Sequence, residues 1–314
     1  MNFSRRLLPL VLLTGLSLVP AASAREPTVA EFPAFPIIDY QERFLPVVAR
    51  YGMVAGPERL AAEIGTDILR QGGNAVDAAV ATGFALAVTY PRAGNLGGGG
   101  FMLMHLAEEG KQTLIDYREP APAAARRDMF LDEHGEVDRR REYVSHQSAG
   151  VPGSVAGQLY ALEQYGSMSR QQVLAPAIAI ARNGMTVTRA HQWSIGTRAD
   201  TLRRNPEARR LFFRPDGSDY VLGDTWRQPD LAWTLEQIVR EGHDGFYRGE
   251  VATRIVAEME RGDGLITTED LAGYRAVERE PVRGSFRGYE VVSTPPPSAG
   301  GVHILQSLNM LAKD

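Results

Sequence analysis

Four consecutive glycines, Gly97 to Gly100, constrain this chain more than any other stretch, because they stand between an apolar helical segment and a strand-like run. Upstream, Pro57 suits a first helical position, and Leu60, Ile64 and Ile68 recur every four residues until Gln71-Gly72-Gly73 supplies a stop, which predicts one amphipathic helix. Asn74 then offers an N-cap, with Asp77 three residues on as a capping-box variant. The following A-V-D-A-A-V-A-T-G-F-A-L-A-V is small and apolar on nearly every face, so it reads as a buried helix ending before Pro91. Downstream, Phe101 to Leu106 reads as a strand, a Glu-Glu-Gly turn follows, and Gln112 to Tyr117 reads as the second strand of a hairpin. A phosphate-cradling glycine loop has the opposite order: it follows a strand and opens a helix, so that the helix N-terminus meets the anion. No G-K-[ST] ending closes the run either. The glycines are therefore expected to let backbone pack tightly at the start of a central strand, not to hold a nucleotide.

The rest of the composition narrows the class. With 314 residues, 44% hydrophobic and 23% charged, the chain has enough apolar material for a sizeable core, in one large domain or two small ones. A net charge of -4, with the arginine-rich pieces interleaved with Asp, Glu and Pro, argues for solvated faces and against a nucleic-acid partner. Residues 1–24 read as a removable export signal: Arg5 and Arg6 precede an apolar run, and Ala22-Ser23-Ala24 forms an A-x-A end. The mature protein is then expected to begin at Arg25, in the periplasm or secreted, without a membrane anchor, since the run is shorter than the about 20 residues a span requires. Ser4-Arg5-Arg6-Leu7-Leu8 also resembles a twin-arginine signal. Residues 25–50, rich in Pro and aromatics, read as an irregular arm, and residues 51–314 as the folded domain. The absence of cysteine excludes disulfides, a thiol nucleophile and thiolate metal sites, and six scattered histidines without an H-x-x-x-H pair give no metal site; no cofactor is expected.

Several long segments, taken together and in order, resemble one family. Q-G-G-N-A-V-D-A-A-V-A at Gln71 to Ala81, A-G-N-L-G-G-G-G-F-M-L at Ala93 to Leu103 and D-Y-R-E-P-A-P at Asp116 to Pro122 are similar to the large subunit of the gamma-glutamyltranspeptidases. A-G-V-P-G-S-V-A-G at Ala149 to Gly157, G-L-I-T-T-E-D-L at Gly264 to Leu271 and P-P-P-S-A-G-G at Pro295 to Gly301 continue the likeness. The resemblance implies an α+β fold, a four-layer αββα sandwich of the N-terminal-nucleophile hydrolase type, incomplete in this chain. It also implies a precursor that cuts itself, freeing a threonine whose hydroxyl attacks the gamma-glutamyl amide of glutathione or a related donor, with the threonine's own amino group as base. The acyl-enzyme then passes the glutamyl group to water or to an amino-acid or peptide acceptor. The partner subunit is the small one from the same precursor.

That family's small subunit opens with T-T-H-x-S downstream of the P-P-P-S-x-G-G loop, so no catalytic residue is expected in this chain and residues 51–314 read as a partial large-subunit domain. The stripe Ile304, Leu305, Leu308 and Leu311, which halts without a stop signal, agrees with truncation, and the chain alone is expected to be inactive. Thr267 with Asp270 reads as a capping box, and Ser154 as a helix start, because Gly153-Ser154-Val155-Ala156-Gly157 is not a G-x-S-x-G elbow. One substrate contact is carried over: Arg118, matching the arginine that pairs with the glutamyl alpha-carboxylate, a task suited to a planar guanidinium fork. Read from the residues alone, Arg118 sits where a strand runs out and reads sooner as a structural salt bridge than as a substrate contact; Glu119 is placed to orient it. Two alternatives stand beside this reading: a sibling acylase acting on glutaryl-type amides such as a beta-lactam side chain, and a non-catalytic periplasmic binding or scaffold protein.

Overall fold

The sequence upstream of the four glycines folds as one helical hairpin. In the computed structural model, which describes residues 47–312, α1 spans Arg59–Arg70 and α2 spans Ala75–Thr89. Pro57 stands outside α1 and is not its first residue: the Glu58 carboxylate accepts the N–H groups of Leu60 and Ala61, so the helix begins after Glu58. Gly72, at φ 92°, ends it. The expected capping box at Asn74 and Asp77 is present, and Asp77 also takes the N–H groups of Ser167 and Met168, tying the start of α2 to a distant loop. The expected export signal and most of the arm, residues 1–46, lie outside the described residues.

After the glycines come β1, Phe101–Leu106, and β2, Lys111–Asp116, paired antiparallel from Phe101 opposite Asp116 to Leu106 opposite Lys111. The next helices are α3, Arg139–Val144, α4, Ser154–Tyr165, and α5, Arg170–Asn183. A small lobe follows, with β3, Met185–Thr186, α6, Arg189–Gly196, α7, Ala199–Arg204, α8, Pro206–Phe212, and β4, Thr225–Trp226. Met185, Val187 and Trp226 form its own core, with the Trp226 indole N–H donating to the Leu211 carbonyl at 2.8 Å. Arginines of this lobe meet acids, Arg203 with Asp219 at 2.7 Å and Arg210 with Asp230 at 2.7 Å.

The chain continues through α9, Pro229–Glu241, α10, Asp244–Tyr247, α11, Gly249–Arg261, and α12, Thr268–Gly273. Strand β5, Val277–Arg279, then returns to pair with β2, Leu114 opposite Arg279 and Asp116 opposite Val277, giving a three-stranded antiparallel sheet in the order β1-β2-β5. A hairpin of β6, Val282–Phe286, and β7, Tyr289–Ser293, turns through Arg287 and Gly288, both at positive φ, the geometry that suits the twist of a two-residue hairpin. Finally α13, Ala299–Leu311, lies on that hairpin. From Ala49 onward these elements form one unit. Its main core joins α1, α2, α4, α5 and α9 to α12 with Met104 and Ile115 of the sheet, and α2 is enclosed on nearly every side, as its composition predicts. Among the described residues no helix is long and apolar enough to cross a membrane.

Candidate functional site

The site forms where β2 runs out. One last backbone pair, Tyr117 N–H to the Gly100 carbonyl at 3.0 Å, extends the hairpin past the strand ends. There Asp116 Oδ1 accepts the Arg118 N–H at 3.0 Å, a side-chain turn that bends the chain out of the sheet. Beyond the bend, the Tyr274 hydroxyl donates to the Arg118 carbonyl at 3.0 Å and the Val151 N–H donates to the Pro120 carbonyl at 2.9 Å. The glycines are what allow this closeness. A Cβ on Gly99 or Gly153 would strike the Tyr117 carbonyl, and one on Gly157 would strike the Tyr117 ring. The Gly98 carbonyl in turn accepts the N–H groups of Gly153, at 2.8 Å, and Ser154, at 2.9 Å. The glycine run is thus a backbone-packing device, as expected from its order in the sequence.

Arg118 lies on a cleft of about 680 Å³ lined also by Asp116, Glu119, Tyr274, Arg275, Arg279 and Pro297. The three arginines differ in what they already hold. Arg279 Nε donates to Asp116 Oδ2 at 2.7 Å, and Arg275 donates to the carbonyls of Ala272 and Tyr274 at 2.9 and 2.6 Å. The Arg118 guanidinium, with 58% of its side chain exposed, has among the described residues only a long ion pair, Nε to Glu119 Oε2 at 3.4 Å. Most of its donors are therefore open to the cleft, in the fork geometry that matches a carboxylate. Burial, and after it the negative charge of Asp116 and Glu119, pushes the Tyr274 phenol above its ordinary range, and burial does the same to Tyr117. Both phenols stay neutral near pH 7, and the Tyr274 hydroxyl serves as a hydrogen-bond donor, not a base.

The other residues singled out in the sequence take structural places. Thr267 Oγ1 accepts the Asp270 N–H at 3.1 Å and Asp270 Oδ2 accepts the Thr267 N–H at 2.9 Å, the capping box that opens α12. Ser154 is the first residue of α4 and is buried. Among the described residues no group of three or more His, Asp or Glu could hold a metal ion. Two members of the site were missed in the sequence, Tyr274 and Arg279, which lie more than 150 positions from Arg118 with no spacing rule connecting them. Asp116 carried a signal that could have been used: an aspartate two residues before Arg118 is the pattern of a side-chain turn.

Comparison with known proteins gives the site its context. A family model described as Gamma-glutamyltranspeptidase matches residues 61–314. The chain belongs to the gamma-glutamyltranspeptidase family. It is 47% identical to the glutathione hydrolase proenzyme of Escherichia coli (strain K12) over 313 residues, covering 99% of this chain and 52% of that relative. A crystal structure of gamma-glutamyltranspeptidase from Helicobacter pylori superimposes with a TM-score of 0.84 at 42% identity, covering 86% of this chain and 77% of that one. An acylase ACY 1 proenzyme of Pseudomonas sp. (strain SE83) is 37% identical over 288 residues, covering 90% of this chain and 51% of the acylase. The chain spans about half the length of these two proenzymes. Its fold is the mixed helix-and-sheet fold of the N-terminal-nucleophile hydrolases, shared with that transpeptidase structure.

Proposed function

We propose that this gamma-glutamyltranspeptidase-family chain supplies the donor-carboxylate side of a gamma-glutamyltransferase and glutathione hydrolase, with Arg118 gripping the alpha-carboxylate of the gamma-glutamyl group. One observation carries the assignment: in a cleft where Arg279 and Arg275 are committed to protein oxygens, Arg118 keeps a nearly unused fork. The reaction on this reading is acyl transfer. A threonine freed by autoproteolysis, at the start of a small subunit from the same precursor, attacks the gamma-glutamyl amide of glutathione or a related donor, and its own alpha-amino group takes the hydroxyl proton. Water or an amino-acid or peptide acceptor then releases the glutamyl group. Export belongs to the same proposal: the segment ending at Ala22-Ser23-Ala24 directs the protein to the periplasm or medium, and the intact mass of the exported protein, starting at Arg25, checks it.

The test is Arg118→Ala in the processed enzyme. Self-cleavage should be retained, because that step needs no donor. Hydrogen bonds to charged groups contribute about 1.5–3 kcal/mol, so kcat/KM for a gamma-glutamyl donor should fall about ten- to a hundredfold. Arg118→Lys keeps the charge without the two-pronged geometry and should recover part of the loss. A donor with its alpha-carboxylate esterified should be poor with the parent and lose little more in Arg118→Ala. An equal penalty on both donors would make Arg118 a structural residue. The acylase relative favours a second reading, a sibling acylase, for which the sequence resemblance suggests glutaryl-type amides. Since a glutaryl group keeps the carboxylate and lacks the alpha-amino substituent, turnover of paired glutamyl and glutaryl donors decides between the two.

A further inference from the structure

The residue that grips a carboxylate is useful only if its backbone is fixed, and here both backbone polar groups of Arg118 are held by other parts of the chain. Its N–H is taken by Asp116 Oδ1 at 3.0 Å and its carbonyl by the Tyr274 hydroxyl at 3.0 Å. Asp116 is itself buried, with 7% of its side chain exposed, and its second oxygen receives Arg279 Nε at 2.7 Å. The strand register explains how Arg279 reaches it. Asp116 stands opposite Val277 and Leu114 opposite Arg279, so Asp116 and Arg279 are diagonal neighbours on one face of the sheet, a span that a long side chain bridges. A buried carboxylate is costly unless paired, and Arg279 supplies that partner and keeps Asp116 aimed at the turn.

We propose that Arg279 and Asp116 are positioning residues for donor binding: the pair on β5 and β2 locks the turn from which Arg118 projects, so the backbone that carries the guanidinium is already in place when the donor's carboxylate arrives. This rests on the reading of Arg118 given above. A turn fixed beforehand avoids the cost of ordering its backbone on binding, so the effect belongs in donor affinity and not in the chemical step. The same contact could instead serve only to fasten β5 to the sheet, or Arg279, which also lines the cleft, could touch the donor directly. These roles give different results.

The experiment compares Arg279→Gln, Arg279→Lys and Asp116→Asn in the processed enzyme, each alone and combined with Arg118→Ala, with kcat and KM measured for a gamma-glutamyl donor and its alpha-ester. Arg279→Gln should raise KM about five- to tenfold and leave kcat within about twofold, as expected for lost preorganisation. Arg279→Lys, able to restore the charge contact, should recover most of that. Asp116→Asn keeps an acceptor for the Arg118 N–H but loses the ion pair, and should resemble Arg279→Gln. In the Arg118→Ala background, and on the ester donor, each change should shift KM by less than about twofold, because groups acting through one another are not additive. Full penalties for Arg279→Gln in the Arg118→Ala background would overturn the proposal, whether they report a fastened strand or direct donor contact. So would a fall in kcat and self-cleavage together with unchanged KM. If Arg118→Ala itself fails to distinguish the two donors, the underlying reading falls and this inference with it; if Arg118→Ala distinguishes them and the Arg279 penalties are additive, this inference alone falls.

Discussion

Helices α2 and α13 are both apolar and of similar length, 15 and 13 residues, yet the unit treats them differently. On α2, Val80, Ala81, Phe84, Ala85 and Val88 are fully enclosed in the core that α2 forms with α1, α4 and α5. On α13 the one buried residue is Gly301, which comes against the Thr294 carbonyl, while Ile304 is 50% and Met310 66% exposed. The β6–β7 hairpin beneath α13 likewise holds no buried side chain. Apolar composition makes a helix able to be buried, but closure requires partners on every face, and α2 finds them because glycines and alanines let neighbouring backbones approach. The candidate site lies between the two regimes: Asp116 ends the enclosed strand β2 and Arg118 follows it, whereas Pro297 precedes α13.

The contrast breaks most directly by truncation. Phe84→Ala should destabilise by about 3–5 kcal/mol, since a buried ring leaves a cavity that the helices around it cannot fill, and Leu308→Ala on α13 by about 1 kcal/mol or less. Urea unfolding of the two variants measures the difference. A cost at Leu308 close to that at Phe84 would mean that α13 is closed by something outside the described residues. Next in size is a pair of glycines. A Cβ on Gly157 runs into the body of the Tyr117 side chain, which is itself hemmed in, so Gly157→Ala should cost about 1–3 kcal/mol and loosen the turn at Arg118. On Gly284 the added carbon meets only the tip of Leu305, at 2.6 Å, and Gly284→Ala should stay within about 0.5 kcal/mol of the parent. Equal costs at the two glycines would show that the hairpin layer is as unyielding as the glycine corner.

What could be read in the sequence follows the same division. Local signals were legible: the capping boxes at Asn74 and Thr267, the stop at Gly72, the β1–β2 hairpin and the packing role of the glycines each depend on a few neighbouring residues. Arg118 was found through the motif around it. Tyr274 and Arg279 were not, because their connection to Arg118 is made by β5 returning to pair with β2, a long-range pairing that no local period encodes. At Pro57 the error was local: Glu58 caps the helix, so its first residue is Arg59 and not the proline. The stripe on α13 was legible as apolar, but apolarity alone says nothing of what covers it.

The smallest expected effect concerns the seam itself, where β5 joins the enclosed sheet. Glu278 receives hydrogen bonds from Thr113 of β2 at 2.7 Å, from Tyr165 of α4 at 2.8 Å and from Lys111 at 3.0 Å. These, the Thr113 hydroxyl most of all, hold its carboxyl well below an ordinary glutamate, at about 2. Because the folded-state value is depressed, the stability it contributes is fully present above the unfolded value near 4.5 and is lost as pH falls toward 2. The carboxylate remains partly solvated, so the contribution is set at about 1 kcal/mol after screening. Glu278→Gln should therefore be less stable than the parent by about that amount at pH 7, and the two should converge as pH approaches 2. The loss should be local: amide protection at Val277 to Arg279, taken relative to the intrinsic exchange rate at each pH, should fall on acidification before protection in α2 does, since a three-residue edge strand opens more easily than an enclosed helix. Parallel stability curves for parent and Glu278→Gln between pH 7 and 2 would show that Glu278 contributes no charge-dependent fastening and that β5 is held by its backbone pairing to β2.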